Sequence, residues 1–390
     1  MAQPFPVQRR CPFAPPPEYA ELRERAPLVR GTFRGKDVWL VTRHAEAQQV
    51  LSGTGISTNP AIPGHPHHEA GEPVPGFADG HFIDLDPPEH TRFRRLLIPE
   101  FTVRRVRELR PRIQDIADRL IDDMLAKGPD AELVRDFGLP LPSLVICRLL
   151  GVPYDDHEFF QSRTRTMLSA AEDEVRRTAM SEIRDYLDAL VTAAEKGPED
   201  DLLGRLITGG RLTHAELVGV IFLLLLAGHE TTANMIPLAA LTLLRHPDQL
   251  AALRADPSGW PAAVEELLRY HSIADWVAFD RVAVEDQEIG GQLVRRGEGV
   301  FVLGASANRD ERAFERPDDF DVRRGARHHV AFGYGVHQCL GQNLARAELE
   351  IALRTLFERL PGLRAATAGE DPPAKYDAAI FGLAELPVTW

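Results

Sequence analysis

The stretch Phe332-Gly333-Tyr334-Gly335-Val336-His337-Gln338-Cys339-Leu340-Gly341 decides how the rest of the chain is read. It sets one cysteine after a glycine-broken loop and before a segment, 342–360, whose pattern predicts a helix. Gly333, Gly335 and Gly341 permit backbone angles that other residues avoid and let a bulky planar group approach the main chain. A sulfur at or just before a helix start meets unpaired N–H groups that favour its thiolate. A thiolate in such a bend, facing a flat apolar partner, is what axial ligation of a haem iron needs. The simpler alternative is a small buried apolar residue, the common fate of a free cysteine. The Phe-x-x-Gly-x-x-x-Cys-x-Gly spacing weighs against it.

A second stretch, upstream, breaks local rules. Thr213-His214-Ala215-Glu216 reads as a capping box. The helix it opens ends near Arg245, before His246-Pro247, and at 1.5 Å per residue spans roughly 50 Å. Its part 217–228 is apolar on nearly every face, which predicts a helix buried through the centre of a large fold. Within it lies Ala227-Gly228-His229-Glu230-Thr231-Thr232. A Glu is rarely buried unless it is paired or working. The alternative is a kink, since a Thr can bond back to the carbonyl four residues earlier and a Gly lowers helix stability by about 1 kcal/mol.

Composition narrows the class. The chain has 390 residues, 44% hydrophobic and 26% charged, with a formal net charge of -13. That is ordinary for a soluble globular protein and unlike a basic nucleic-acid binder. Three cysteines, Cys11, Cys147 and Cys339, make no disulfide framework and fit a reducing compartment. Cys147 falls in the apolar pattern of Leu144, Val145, Leu149 and Leu150 and reads as core. Residues 1–17 are rich in Pro and Arg, without the apolar centre of a signal or anchor, and are expected to lie irregularly on the surface. The run 217–228 is shorter than the roughly 20 residues a bilayer needs. A soluble, cytoplasmic protein with no membrane and no nucleic-acid partner is expected.

The other elements follow in order. Runs 28–33 and 37–42 around Arg34-Gly35-Lys36 predict a hairpin. The segment 52–80 is dense in Gly, Pro and His and is long for a structureless loop. Its His65, His67 and His68 match no tight metal-ligand spacing. Asp86-Pro87-Pro88-Glu89 opens a helix in which His90 and Arg94 share a face. The next helix, 103–127, begins with Arg104, Arg105, Arg107 and Arg110, a run that reads equally as a solvated face. Helical stretches 133–150, 155–171, 175–195 and 201–207 follow, then a helix 261–271 on which Glu266 and Arg269 can pair. Strands are expected at 277–284, 287–289, 300–305, 376–383 and 386–390, with a meander 308–324 before the cysteine loop.

Taken together, the cysteine loop, the Ala-Gly-x-Glu-Thr-Thr helix, the Glu-x-x-Arg pair and the Asp-Pro-Pro-Glu-His-Thr segment make the chain resemble the cytochrome P-450 superfamily. It is most similar to the soluble, actinomycete-type haem-thiolate monooxygenases. The resemblance runs from near Phe33 to the closing Trp390. It implies one domain over 1–390: a mainly α fold with smaller β-sheets (α+β), a triangular helix-rich prism with haem between the long helix and the cysteine loop. The β-rich part would lie near 28–42, 277–305 and 376–390, the helical part at 86–271 and 342–360.

Residue by residue, the resemblance makes Cys339 the thiolate ligand of haem b, iron protoporphyrin IX. Phe332, Gly335 and Gly341 shape its loop. His337, His90, Arg94 and Arg281 match propionate contacts, and Ala227 matches the residue over the ring. Glu230 and Thr231 match the acid–alcohol pair that delivers protons on the distal side. Glu266 and Arg269, with Arg324 (or else Arg323), match a structural triad. Leu223, Leu226, Ala227, Ile273, Trp276, Val277, Ile380 and Phe381 match walls of an apolar substrate pocket, and the loop 52–85 a mobile lid. Dioxygen is the co-substrate, an acidic ferredoxin with its reductase the electron donor, and Arg104, Arg105 and Arg107 its docking patch, on a monomer. The implied reaction is hydroxylation or epoxidation of a hydrophobic macrolide or other polyketide, terpenoid, steroid or xenobiotic. A peroxide-using or oxidative-coupling relative, and a non-catalytic haem carrier or sensor, are the alternatives.

Overall fold

The computed structural model describes residues 3–66, 79–153, 156–169, 172–277, 279–367 and 369–390. The N-terminal elements are β1 (Gln3–Phe5), α1 (Glu18–Arg25), β2 (Leu28–Phe33), β3 (Lys36–Val41), α2 (His44–Ser52) and β4 (Ile56–Ser57). Next come α3 (Glu89–Leu97), α4 (Val103–Lys127), β5 (Asp130–Glu132), α5 (Pro140–Leu150), α6 (His157–Ser169), α7 (Asp173–Ala194), α8 (Leu202–Gly209), α9 (His214–Arg245), α10 (Pro247–Ala255) and α11 (Trp260–His271). The C-terminal elements are β6 (Asp280–Ala283), β7 (Gln287–Ile289), β8 (Gln292–Val294), β9 (Gly299–Val302), α12 (Gly304–Ala307), α13 (Gln342–Arg359), β10 (Arg364–Ala365) and β11 (Pro387–Thr389). The architecture is mainly helical with small sheets, as the motifs implied.

Helix α9 is the axis of the helical part. The Thr213 hydroxyl accepts from the Glu216 N–H and the Glu216 carboxylate accepts from the Thr213 N–H, so the capping box is formed on both sides. Packing then brings several elements onto the helix, α7 among them. Gly228 is where α5 comes closest: a Cβ there would stand 2.7 Å from Ile146 Cδ1. This glycine thus serves helix contact. At Pro237, whose ring lacks an N–H to donate, a π-helical turn (Val134–Gly138) presses in, and a Cβ on Gly138 would lie 2.6 Å from the proline ring. Helix α13 packs along a third side. By length and apolar composition α9 could cross a bilayer, but 56% of its most apolar window is buried by these neighbours.

The largest sheet has the order β1-β2-β3-β9-β6-β4. The predicted hairpin is β2–β3, turned at Arg34 (φ 48°) and Gly35 (φ 79°). In such a turn both central residues need positive φ, which matches the right-handed twist of the strands. Several expectations are corrected. The Pro-rich arm is not merely irregular: β1 pairs in parallel with β2. Strand 277–284 shortens to Asp280–Ala283, because 273–277 form turns, and 300–305 gives way to helix α12 after Val302. The segment 376–383 is a set of turns with one bridge, Ala374 to Leu383, and only Pro387–Thr389 is a strand. There Gly382 is pressed onto α9, where a Cβ would overlap Asn234 Oδ1 at 2.1 Å. A pleated strand with outward side chains could not lie so close. Helix α10 was not expected; His67 and His68 lie outside the described residues.

Candidate active site

The cysteine loop is closed by its own backbone. The Cys339 N–H donates to Phe332 O at 2.8 Å and the Gly333 N–H to Val330 O at 2.9 Å. Gly333 and Gly335 take φ of 69° and 71°, the left-handed region. A Cβ on Gly335 would sit 2.6 Å from Leu51 O, so the loop tip lies against the end of α2. Gly341 differs: its φ is -80° and a Cβ there would meet nothing within 4 Å. It keeps space open at the start of α13 instead of supplying a special backbone. Burial pushes the Cys339 thiol up; the N–H of Gly341, the guanidiniums of Arg94 and Arg346 and the N–H of Gln342 pull it back. The Arg346 guanidinium also lies 4.6 Å from the Phe332 ring centre, which braces the loop.

Around this loop the fold gathers the four basic groups expected, from three separate segments. His90 and Arg94 come from α3, Arg281 from β6 and His337 from the loop itself. The His90 and His337 rings are 4.1 Å apart. Arg94 donates to Gln338 O, and Arg281 donates to Asp280 O at 2.8 Å. Burial and then Arg94 lower His90 to about 4. Burial, His90, Arg281 and Arg94 lower His337 to about 3. The Nδ1 of His90 is buried without a hydrogen-bond partner. Donors crowded until they repel one another are completed by a dianionic group placed between them. The residues present therefore fit a haem with its two propionates.

On the long helix, Leu223 is buried, Leu226 is half-buried and Ala227 is exposed, although Phe222, Leu224, Leu225 and His229 around them are buried. With Glu230 and Thr231 they recur at i, i+3, i+4, i+7 and i+8, one stripe of the helix. The Thr231 hydroxyl donates to Ala227 O at 3.1 Å. Glu230 is oriented by Asn234, whose Nδ2 donates to Glu230 Oε1 at 3.0 Å and to Glu230 O at 2.8 Å. Lys375 in turn donates to Asn234 Oδ1 at 2.8 Å. Asn234 was legible in principle, four residues from Glu230 on the same face. Lys375 was not, being 141 residues away. Also unforeseen is Glu348 of α13, which bonds the Thr232 hydroxyl and is pushed up by burial to about 8.

These observations meet the comparisons with known proteins. A cytochrome P-450 family model matches residues 260–382. Pentalenic acid synthase of Streptomyces avermitilis is 51% identical over 391 aligned residues, 99% of this chain and 97% of that protein. The chain belongs to the cytochrome P-450 family. Among solved structures, cytochrome P-450 MoxA from Nonomuraea recticatena superposes with a TM-score of 0.91 at 51% identity, over 99% of this chain and 98% of that one. Mycinamicin VIII C21 methyl hydroxylase MycCI from Micromonospora griseorubida, solved with mycinamicin VIII bound, gives 0.94 at 43% identity and full coverage of both chains. This P-450 is thus a haem-thiolate monooxygenase that uses haem iron; the carrier and sensor alternatives fall away.

Other expected residues find their places in this P-450. The Glu266 carboxylate accepts from Arg269 at 2.7 and 2.8 Å and from Arg324 Nε at 3.1 Å, so Arg324, not Arg323, completes the triad. Glu265, beside it, makes a second network that the sequence did not reveal. It accepts from Arg346 Nε at 2.6 Å and pairs with His329 at 3.1 Å. Ile273 and Phe381 are stitched together, the Phe381 N–H donating to Ile273 O at 2.9 Å, and half-buried Val277 and Ile380 lie beside them in chain. Trp276 is placed differently. It packs against Phe5, Phe33 and Phe301 at 5.3, 6.2 and 5.7 Å, which commits it to the sheet core. The arginine patch is also weaker than its sequence. Arg104 and Arg105 pair with Glu108 at 3.4 and 3.1 Å, and Arg105 with Glu100 at 3.6 Å. Arg107 is exposed.

Proposed function

We propose that the whole chain works as one unit, with haem b held by Cys339, to hydroxylate or epoxidise a rigid apolar natural product of terpenoid or macrolide size. The observation that carries this reading is the partly open stripe of half-buried Leu226, exposed Ala227 and half-buried Thr231 on a mostly buried helix, in the same chain as a cysteine loop ringed by basic donors. Haem, when bound, supplies the iron at which dioxygen is activated with two electrons. The protein's own residues do the rest. The N–H groups of Gly341 and Gln342, with Arg94 and Arg346, offset part of the burial cost of the thiolate that would hold the iron. His90, Arg94, Arg281 and His337 hold the carboxylates. Asn234 and Lys375 orient the Glu230 carboxyl, which moves protons through ordered water to the Thr231 hydroxyl, and that hydroxyl both accepts and donates. Leu223, Leu226, Ala227, Ile273, Val277, Ile380 and Phe381 exclude water and orient the substrate.

Similarity to a pentalenic acid synthase and to a mycinamicin VIII hydroxylase supports a terpenoid or macrolide substrate. Electrons come from an acidic ferredoxin with its reductase in the cytoplasm. It would dock on a monomer near Arg107, whose neighbours Arg104 and Arg105 are already engaged. The test is the reduced carbon-monoxide spectrum, followed by a substrate panel of macrolides, terpenoid acids and secosteroids. A thiolate-type Soret band and a spin-state shift with one panel class are expected; a histidine-type band or no haem would sink the reading. Thr231→Ala is expected to keep the haem and to lower product formed per electron by roughly tenfold or more, with peroxide appearing instead. Unchanged coupling contradicts the proton role.

A further inference from the structure

We infer that Arg9, in the N-terminal arm, is a positioning residue that sets the substrate-facing turn 272–277 and the Phe381 ring against each other. The inference rests on the pocket reading above. An arginine in a Pro-rich arm is expected in solvent, yet Arg9 is only 8% exposed. Its Nη2 donates to His271 O at 2.7 Å and to Ser272 O at 3.0 Å. These are carbonyls at the C-terminal end of α11, where a cation is favourable. Its guanidinium also lies 4.6 Å from the Phe381 ring centre, within cation–π reach. The Phe381 N–H in turn donates to Ile273 O. One planar cation therefore sits at the seam where both wall segments join.

The turn needs such bracing. Ser272 and Asp275 are non-glycine residues with φ of 44° and 42°, in the sparsely populated left-handed region. Their side chains are held from outside: Asn308 donates to Ser272 Oγ at 2.8 Å, and Tyr19 and the Ala305 N–H donate to Asp275 at 2.8 and 2.9 Å. The main-chain carbonyls entering the turn are held by Arg9. A simple anchor for the arm would be apolar, because Arg9 Nη1 is buried with no partner and a buried charge is costly. What a planar cation alone offers is a donor edge for carbonyls together with a flat face for a ring.

The test uses holoenzyme variants and two haem ligands. Imidazole binds iron without reaching distant walls; clotrimazole is bulky and meets them. Arg9→Ala is expected to retain the thiolate-type carbon-monoxide spectrum, to bind imidazole within about twofold of wild type and to bind clotrimazole about tenfold more weakly. In a Phe381→Leu background the same change is expected to cost clearly less than in wild type, about threefold, because the ring partner is gone and only the carbonyl contacts remain. If Phe381→Leu shifts clotrimazole binding and Arg9→Ala does not, Arg9 has no positioning role and the pocket reading stands. If Phe381→Leu changes nothing, the pocket reading fails and takes the inference with it. Equal losses for imidazole and clotrimazole mean general damage and also overturn it. Should Arg9→Ala fail to fold, Arg9→Lys keeps the charge but not the plane, and roughly a threefold loss for clotrimazole alone is expected; wild-type affinity there refutes the role.

Discussion

Two buried polar clusters in this P-450 contrast sharply. In the first, Glu266 and Arg269 are both fully buried, and each carboxylate oxygen has a guanidinium partner. Arg269 further donates to Asn308 O and Pro317 O at 2.8 Å. In the second, the tilted rings of His90 and His337 lie 4.1 Å apart beside Arg94 and Arg281, and among the described residues no carboxylate pairs with His90, Arg94 or His337. The first cluster is complete in the polypeptide and locks α11 to the meander. The second becomes complete only with an anion. Matched charges mark the fold, and crowded like donors mark the place of a ligand.

Breaking the first cluster should produce the largest effect. Glu266→Gln leaves the buried Arg269 and half-buried Arg324 guanidiniums short of their counter-charge, and a loss of about 3–5 kcal/mol is expected in denaturant unfolding. The neighbouring Glu265 gives an effect that is present at neutral pH and fades in acid. Its network partners His329 and Arg346 outweigh the burial that alone would raise it, and hold it at about 2 against an ordinary 4.5. Because the folded value is depressed, its contribution is fully present above about 4.5 and disappears as the pH falls toward 2. Glu265→Gln should therefore remove roughly 3 kcal/mol of stability at pH 7 and flatten the stability profile in that window. The smallest effect on the fold is expected from His90→Phe in the second cluster. Unfolding of the haem-free chain should move by under about 1 kcal/mol, since no hydrogen bond of the buried Nδ1 is lost. Haem release from the same variant should nonetheless accelerate. A large loss of haem-free stability would erase the distinction between the clusters.

Much of this was legible in the sequence, for definable reasons. A capping box, a 3.6-residue apolar pattern and a glycine-broken cysteine loop are local signals, and α9, α13 and the ligand loop followed from them. The basic cluster and the triad were named through the family's motifs, and the geometry decided between Arg323 and Arg324. What escaped depends on distant partners. Arg9 meets carbonyls 262 and 263 residues away, and Arg346 meets Glu265 across 81. Strand β1 has three residues, too few for a period-2 pattern to stand out. Trp276 had the right neighbours in chain for a pocket wall, but aromatic contacts with Phe5, Phe33 and Phe301 claim its ring.

The His90, Arg94, Arg281 and His337 cluster is proposed to bind the haem carboxylates beside the Cys339 sulfur. The most direct measurement is reconstitution of the haem-free chain with haem and with haem dimethyl ester, followed by the thiolate-type spectrum. The ester keeps the iron and the ring but carries no charged oxygens. Haem is expected to be retained at least about a hundredfold more tightly than the ester, because charge-assisted bonds to partly buried donors are lost with the charge. Equal affinity for the two would contradict that role.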